Sequence, residues 1–359
     1  MARLLMNGIL EDLPLHRSLG FMARFLWRTR INPLEMGRGR NLVALDPPRH
    51  DEIRGVVNRG FTPGRVSVWE PRIREIAKEC LAGLPHGRNF DVVRNLAAPL
   101  PTTIIAEMLG IEVERQADFR SWTDTVIHCV SGPGREAPLA HGFLDAVTGL
   151  LCYLKQIVAQ RRQQPRADLI SVILQGHAGS DALTPSEVLQ FVVLLLIAGN
   201  ETTTNLIANS AQALLDHPEI LAQLVAEPSK IPLVVEETLR WQAPIQILFR
   251  NTTKDVELAG TRIPRGATVA AMIASANRDE RRFADGDNFD PWRPDHGHLG
   301  FGFGAHFCLG AALARLEARI ALEELVPALP SLRAAGGRPP LRNSFLVRGP
   351  EAMPLEAIG

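Results

Sequence analysis

Little in this sequence is charged in one direction, rich in sulfur or strongly aromatic. Its 359 residues hold 39 Lys+Arg against 39 Asp+Glu. So even a balance argues against a general nucleic-acid binder and against an acidic-tail protein. The four cysteines, Cys80, Cys129, Cys152 and Cys308, stand far apart. That spacing excludes a disulfide scaffold and reads as the reduced thiols of a cytosolic protein. The longest apolar run, Phe191 to Ala198, falls far short of the ~20 residues that cross a bilayer. The apolar piece of the opening MARLLMNGILEDLPLHR is too short for a secretory signal, and Glu11 and Asp12 follow it. The expectation is a cytoplasmic protein with no membrane span. Lysine is scarce, only Lys78, Lys155, Lys230 and Lys254, a bias to arginine that reads as a GC-rich, bacterial genome.

What remains is ordinary globular material, 46% hydrophobic and 22% charged, too apolar for a disordered chain. The length fits one large enzyme fold as well as two average domains. No internal repeat or long linker interrupts it. Apolar periodicity predicts helices over Trp69–Leu84, Val113–Val130 and Phe143–Gln160. Thr184-Pro185-Ser186-Glu187 reads as a capping box that starts a long central helix running to about Leu215. Apolar on nearly every face in its first half, that helix belongs in the middle of the protein. After Trp241 short extended pieces (Ile245–Phe249, Val256–Leu258, Thr268–Ala274) alternate with turns, and Leu309–Leu325 is helical again. Pieces near Phe345–Val347 and Met353–Leu355 suggest a final hairpin. The expected fold is mainly α with a small β portion (α+β): one domain over 1–359, helix-rich from 46 to 241 and β-containing from 242 to 359.

Four stretches carry chemistry. In HLGFGFGAHFCLGAALAR, Gly300, Gly302 and Gly304 permit close backbone approach and positive φ. Cys308 stands just before a helix start, where amide donors and the helix dipole favour a thiolate suited to axial ligation of haem iron. A buried structural cysteine, a zinc site with His296, His298 and His306, and a loose dinucleotide fingerprint over Gly300-x-Gly302-x-x-Ala305 are the competing readings. LLLIAGNETTTN (194–205) places Gly199 and a polar cluster inside an apolar helix, a local inconsistency of the kind found at functional places. EETLR (236–240) alone is a helical i,i+3 ion pair. In DPPRHDEIRGVVNRGFTP (46–63), His50 and Arg54 share a helix face.

Together these motifs resemble the cytochrome P450 family. FGFGAHFCLG is similar to its cysteine-ligand loop FGxGxHxCxG, AGNET to AGx(D/E)T, EETLR to ExxR, and DPPRHDEIR to DPPxHxxxR. The resemblance runs from about Pro33 to the C-terminus, and the segment before Asp46 is shorter than is usual in the family. It implies a P450-like fold with haem b bound by Cys308 as the axial iron ligand. Phe301 and Gly310 belong to the ligand loop by motif position. His50, Arg54, Arg250 and His306 would donate to the haem propionates, where arginine suits a carboxylate. Ala198 and Gly199 would bend the central helix beside the haem and leave room for O2. Thr202 would hydrogen-bond the oxygen being activated, and Glu201 would relay protons. Glu237, Arg240 and Arg293 would form a buried charge cluster bracing the cysteine loop.

The activity implied is that of a bacterial haem-thiolate monooxygenase that hydroxylates or epoxidises a lipophilic small molecule. Electrons would pass from NAD(P)H through a reductase and a ferredoxin or flavodoxin. The Glu201-Thr202 pair argues against an H2O2-driven peroxygenase, and in a haem sensor or non-catalytic binder it would have no task; an inactive relative is the third alternative, given the short segment before Asp46. The expected pocket wall comprises Val193, Leu194 and Ile197 on the central helix, with Ile245, Ile247 and Phe345 by family position.

Overall fold

The computed structural model of the chain describes residues 27–28, 42–84, 90–131, 142–175 and 183–358. Pro33 and most of the segment before Asp46 lie outside them. Residue contacts divide the chain into two compact units: Met1–Glu79, Ala98–Glu201 and Ala312–Glu317 form the first, and Cys80–Ala97, Thr202–Ala311 and Ala318–Gly359 the second. The division cuts the longest helix between Glu201 and Thr202.

The described part of the first unit is helical. Helix α1 (Arg49–Val57) follows Pro47-Pro48 and carries Asp51 and Glu52 in its first turn, where the helix dipole favours acids. Its buried stripe is His50, Ile53, Val56 and Val57. Then come α2 (Pro63–Ser67), α3 (Glu70–Leu81, reaching into the second unit), α4 (Pro99–Met108), α5 (Gln116–Ser131), α6 (Phe143–Gln163) and α7 (Leu169–Gln175). In α6, residues Phe143, Ala146, Leu150, Leu154, Ile157 and Arg161 are buried at the spacing of one helix face. Gly149 lets α5 approach, since a Cβ there would lie 2.7 Å from the Trp122 ring. Expected helices over 113–130 and 143–160 therefore exist with shifted ends, and the first begins with a 3-10 turn at Val113–Arg115.

Helix α8 (Pro185–Asp216) is 32 residues long, about 48 Å at the usual rise. Its capping box forms: the Thr184 N–H donates to Glu187 Oε2 at 2.9 Å, and the Glu187 N–H to the Thr184 hydroxyl at 3.2 Å. By length and composition it could cross a bilayer, but 67% of its most apolar window is buried inside the protein. It is a core helix.

The second unit holds the end of α8, α9 (Pro218–Ala226), α10 (Ile231–Trp241) and most of α12 (Ala311–Leu325), plus every strand among the described residues. Strands β1 (Phe90–Asp91), β7 (Pro354–Ala357) and β6 (Leu332–Ala334) form an antiparallel sheet in the order β1-β7-β6. Strands β2 (Ile247–Asn251) and β5 (Thr268–Met272) pair antiparallel, as do β3 (Val256–Leu258) and β4 (Thr261–Ile263). Ala259 and Gly260, both at positive φ, make the two-residue turn that joins β3 to β4.

Two expectations change here. The stretch Thr268–Ala274 is not extended throughout: Ile273–Ala276 closes into a helical turn, α11. No hairpin joins 345–347 to 353–355: Val347 bridges to Ile245, while β7 pairs with β1 and β6. Short strands take their partners from non-local pairing, which hydrophobic alternation along the chain does not encode.

Candidate active site

The cysteine loop is built by backbone bonds between turns. The Cys308 N–H donates to the Phe301 carbonyl at 2.9 Å, Phe307 N–H to Gly304 at 3.0 Å, and Gly302 N–H to Leu299 at 2.8 Å. Gly302 and Gly304 have φ of 73° and 74°, a region that costs a side chain strain and glycine nothing. Gly310 caps α12, and Cys308, half-buried, precedes that helix by a single turn. His306 closes the 3-10 turn Gly304–His306 and is half-buried, as is Phe301, whose ring lies edge-on to Phe307 at 6.3 Å.

A second set of contacts clamps this loop, and sequence reading had missed it. The Leu299 N–H donates to Asn277 Oδ1 at 2.7 Å, and Gly300 N–H to His298 Nδ1 at 3.0 Å. With Nδ1 accepting, the His298 proton sits on Nε2 and is shared with Glu236 at 3.2 Å. A Cβ on Gly300 would lie 2.7 Å from the Leu239 carbonyl, so glycine there permits the close seating of the loop on α10. His298 thus turns to Glu236 and His296 lies 3.9 Å from Glu237, and among the described residues no three His, Cys, Asp or Glu side chains come together as a zinc site requires. Asn277 had no signal in sequence because its partners lie in other elements.

Under the loop, Glu237, Arg240 and Arg293 come together. Arg240 Nε and Nη2 donate to the two Glu237 oxygens at 2.8 and 2.7 Å, and Arg293 Nε reaches both at 3.0 and 3.1 Å. The remaining Arg240 donors meet the carbonyls of Asn277, Gly286 and Asn288 at 2.7–2.8 Å. Glu237 and Arg240 are fully buried, and such satisfaction is what makes buried charge tolerable.

The other site residues divide between the two units. In the first, His50 is buried with Nδ1 2.8 Å from Asp51, and Arg54 Nε donates to Asn58 at 2.9 Å. On α8, Val193 and Ile197 are half-buried, Leu194 is buried, and Ala198 and Gly199 are exposed although Asn200 and Glu201 beyond them are buried again. A Cβ at Gly199 would meet nothing within 4 Å. In the second unit, Thr202 is half-buried, Ile245 and Ile247 are half-buried, and Arg250 and Phe345 are exposed, with Arg250 Nη1 on the Phe249 carbonyl at 2.8 Å.

A family model described as cytochrome P450 matches residues 150–331. The monooxygenase PikC of Streptomyces venezuelae is 38% identical over 339 residues, covering 92% of this chain and 79% of the relative. The vitamin D(3) 25-hydroxylase of Pseudonocardia autotrophica is 39% identical over 318 residues, covering 88% and 77%. The chain belongs to the cytochrome P450 family. The crystal structure of CYP109E1 from Bacillus megaterium, 36% identical, superposes with a TM-score of 0.82 over 89% of this chain and 87% of its own. The fold is the P450 fold.

This P450 is accordingly a monooxygenase with a haem b cofactor, O2 and a small-molecule substrate, and it receives NAD(P)H electrons through redox partners. The residues present fit that cofactor: a cysteine thiol on a hydrogen-bonded glycine loop, an exposed Ala198-Gly199 step on an unbroken, otherwise mostly buried helix, and exposed aromatic rings at Phe303 and Phe307. When bound, haem supplies the O2 activation that inserts one oxygen atom into an unactivated bond and releases the other as water.

Proposed function

We propose that Cys308 is the axial thiolate of this P450, and that the enzyme hydroxylates or epoxidises a lipophilic, steroid-like small molecule in the bacterial cytoplasm as one haem-binding domain. The observation that carries the reading is the Cys308 N–H bonded to the Phe301 carbonyl on a glycine loop that ends at the start of α12. That arrangement holds the sulfur rigidly and gives it the positive end of a helix dipole. His50, Arg54, Arg250 and His306 supply donors to the propionates. Ala198 and Gly199 leave space for O2. Thr202 holds the hydrogen bond that keeps a proton delivered to oxygen in place, and buried Glu201, one residue earlier, passes protons inward.

The substrate class rests on the apolar stripe of Val193 and Ile197 with Ile245, Ile247 and Phe345. Among similar proteins, one is named for vitamin D(3) hydroxylation and another was crystallised with testosterone. Electrons arrive from a ferredoxin or flavodoxin with its reductase. The reduced, CO-bound protein is expected to show the red-shifted Soret band of thiolate ligation, and Cys308→Ala to abolish it. An unchanged band in that variant overturns the assignment. Thr202→Ala is expected to keep the band while product per NADPH falls and H2O2 rises.

A further inference from the structure

On the second unit, two buried carboxamides tie the turn that carries Phe345 to the central helix. Asn209, on α8, is 1% exposed, and Gln242, at the end of α10, is 5% exposed. Gln242 Nε2 donates to Asn209 Oδ1 at 2.8 Å. Asn209 Nδ2 donates in return to the Gln242 carbonyl and to the Arg348 carbonyl, both at 3.1 Å. The Gln242 carbonyl belongs to the helix end, where intrahelical partners run out, so Asn209 satisfies a buried acceptor there and joins it to the carbonyl of Arg348.

The tie continues outward. The Arg348 N–H donates to the Pro244 carbonyl at 2.8 Å, Gln246 N–H to Leu346 at 2.9 Å, and Ile245 bridges Val347. Ser344 Oγ accepts from the Leu346 and Val347 amides, closing the turn with Phe345 at its tip. Gly349 is pressed against α8, since a Cβ there would lie 2.2 Å from Asn205 Oδ1. Thr202, Asn205 and Asn209 stand at i, i+3 and i+7, one face of one helix. The helix spans only about 10 Å from Thr202 to Asn209.

We propose that Asn209 and Gln242 are positioning residues for substrate: they hold Ile245 and the Phe345 turn in register with Thr202 through the rigid α8 rather than through the loops themselves. The proposal rests on the reading that Ile245 and Phe345 line the pocket. Regioselectivity is then set in part by a pair of amides that touch neither haem nor substrate.

The test uses the haem-loaded full chain with Asn209→Ala and, should that variant fold poorly, Gln242→Ala, which removes only the reciprocal bond. Amide hydrogen exchange over 244–248 and 344–348 is expected to quicken about tenfold, the effect of losing one or two buried hydrogen bonds, while β3–β4 and α9 stay unchanged. Binding is read by the Soret shift with imidazole, which needs only the iron, and with 4-phenylimidazole, whose ring reaches the pocket wall. Imidazole affinity is expected to hold while 4-phenylimidazole affinity shifts about fivefold or more, a preference that loss of general stability does not produce. Exchange that rises evenly along the chain, or exchange that stays unchanged, overturns the proposal. So does an unaltered ratio of the two azoles. A wild-type protein that shifts with neither azole instead defeats the haem reading, and the exchange pattern still decides whether Asn209 holds the turn.

Discussion

Arg240 and Arg161 are both almost wholly buried, yet the chain encloses their charges in different ways. Arg240 pairs with Glu237 one helical turn away and spends its other donors on three carbonyls. Arg161, at the end of α6, pairs with Asp168 in the loop before α7 and donates to the Gly110 carbonyl at 2.9 Å. Asp168 is itself held by the Ser171 N–H at 2.7 Å. The first cluster is a local helical pair that recruits loops around it. The second is a loop closure that exists only once α6 has packed, and Gly110 permits it, since a Cβ there would strike Asp168 at 2.5 Å. The lesson is that burial of charge is solved wherever donors can be filled, and that only the local solution leaves a mark in the sequence.

The largest expected effect comes from Glu237→Gln. It strips the carboxylate that Arg240 and Arg293 share, so unfolding free energy is expected to fall by about 3–5 kcal/mol, with weaker haem retention, measured by denaturant titration and haem occupancy. Asp168→Asn leaves Arg161 its carbonyl partner and an amide oxygen, and a loss of about 2–3 kcal/mol is expected in the same titration. A loss as large as that of Glu237→Gln would break the contrast between the two regions.

Glu317 sharpens it from the other side. Burial pushes this carboxyl up from an ordinary 4.5 to about 8. It is therefore neutral in the folded state near neutrality. A raised carboxyl pKa stabilises fully below its unfolded value, and that stability is lost as pH rises through the folded value. Thermal melts from pH 5 to 9 are expected to show a falling Tm, and Glu317→Gln to flatten the fall. A slope that persists in the variant would assign it to other groups.

The smallest effect belongs to the part-exposed cap. Arg49 Nη2 reaches both Glu187 oxygens at 2.9 and 3.0 Å. Burial would raise the Glu187 carboxyl, but the Thr184 amide and hydroxyl and the Arg49 guanidinium outweigh it and hold it below the usual range. Its stability is present above the ordinary carboxylate value and lost as pH falls through the lowered one. Thr184→Ala is expected to cost about 1 kcal/mol, with less of the acid-side loss, seen in urea titrations at pH 7 and pH 4.

Much of the site was legible for the same reason that Glu237–Arg240 was. The glycine loop before Cys308 and the capping box each lie within a few consecutive residues, where spacing alone expresses the geometry, whereas the bend expected at Ala198-Gly199 is absent, the helix running unbroken through both. What escaped notice spans elements. Asn277 and His298 clamp the cysteine loop from separate segments, and His298 read from sequence as a possible metal ligand until Glu236 and Gly300 were seen to occupy its ring. The final strand likewise found its partners far away, at Phe90–Asp91 and Leu332–Ala334, rather than in the neighbouring turn.

The sequence by itself determined the family, the glycine loop that carries Cys308, the long central helix and the Glu237–Arg240 pair, because glycine φ freedom, helix capping and i,i+3 pairing are local properties of consecutive residues. Tertiary structure alone decided which carbonyls receive the buried guanidinium donors, which carboxyl is left neutral, and which helix holds the Phe345 turn. Those depend on who is near after packing, and a buried polar group takes whatever partner the fold brings, since leaving it bare costs more than any local preference.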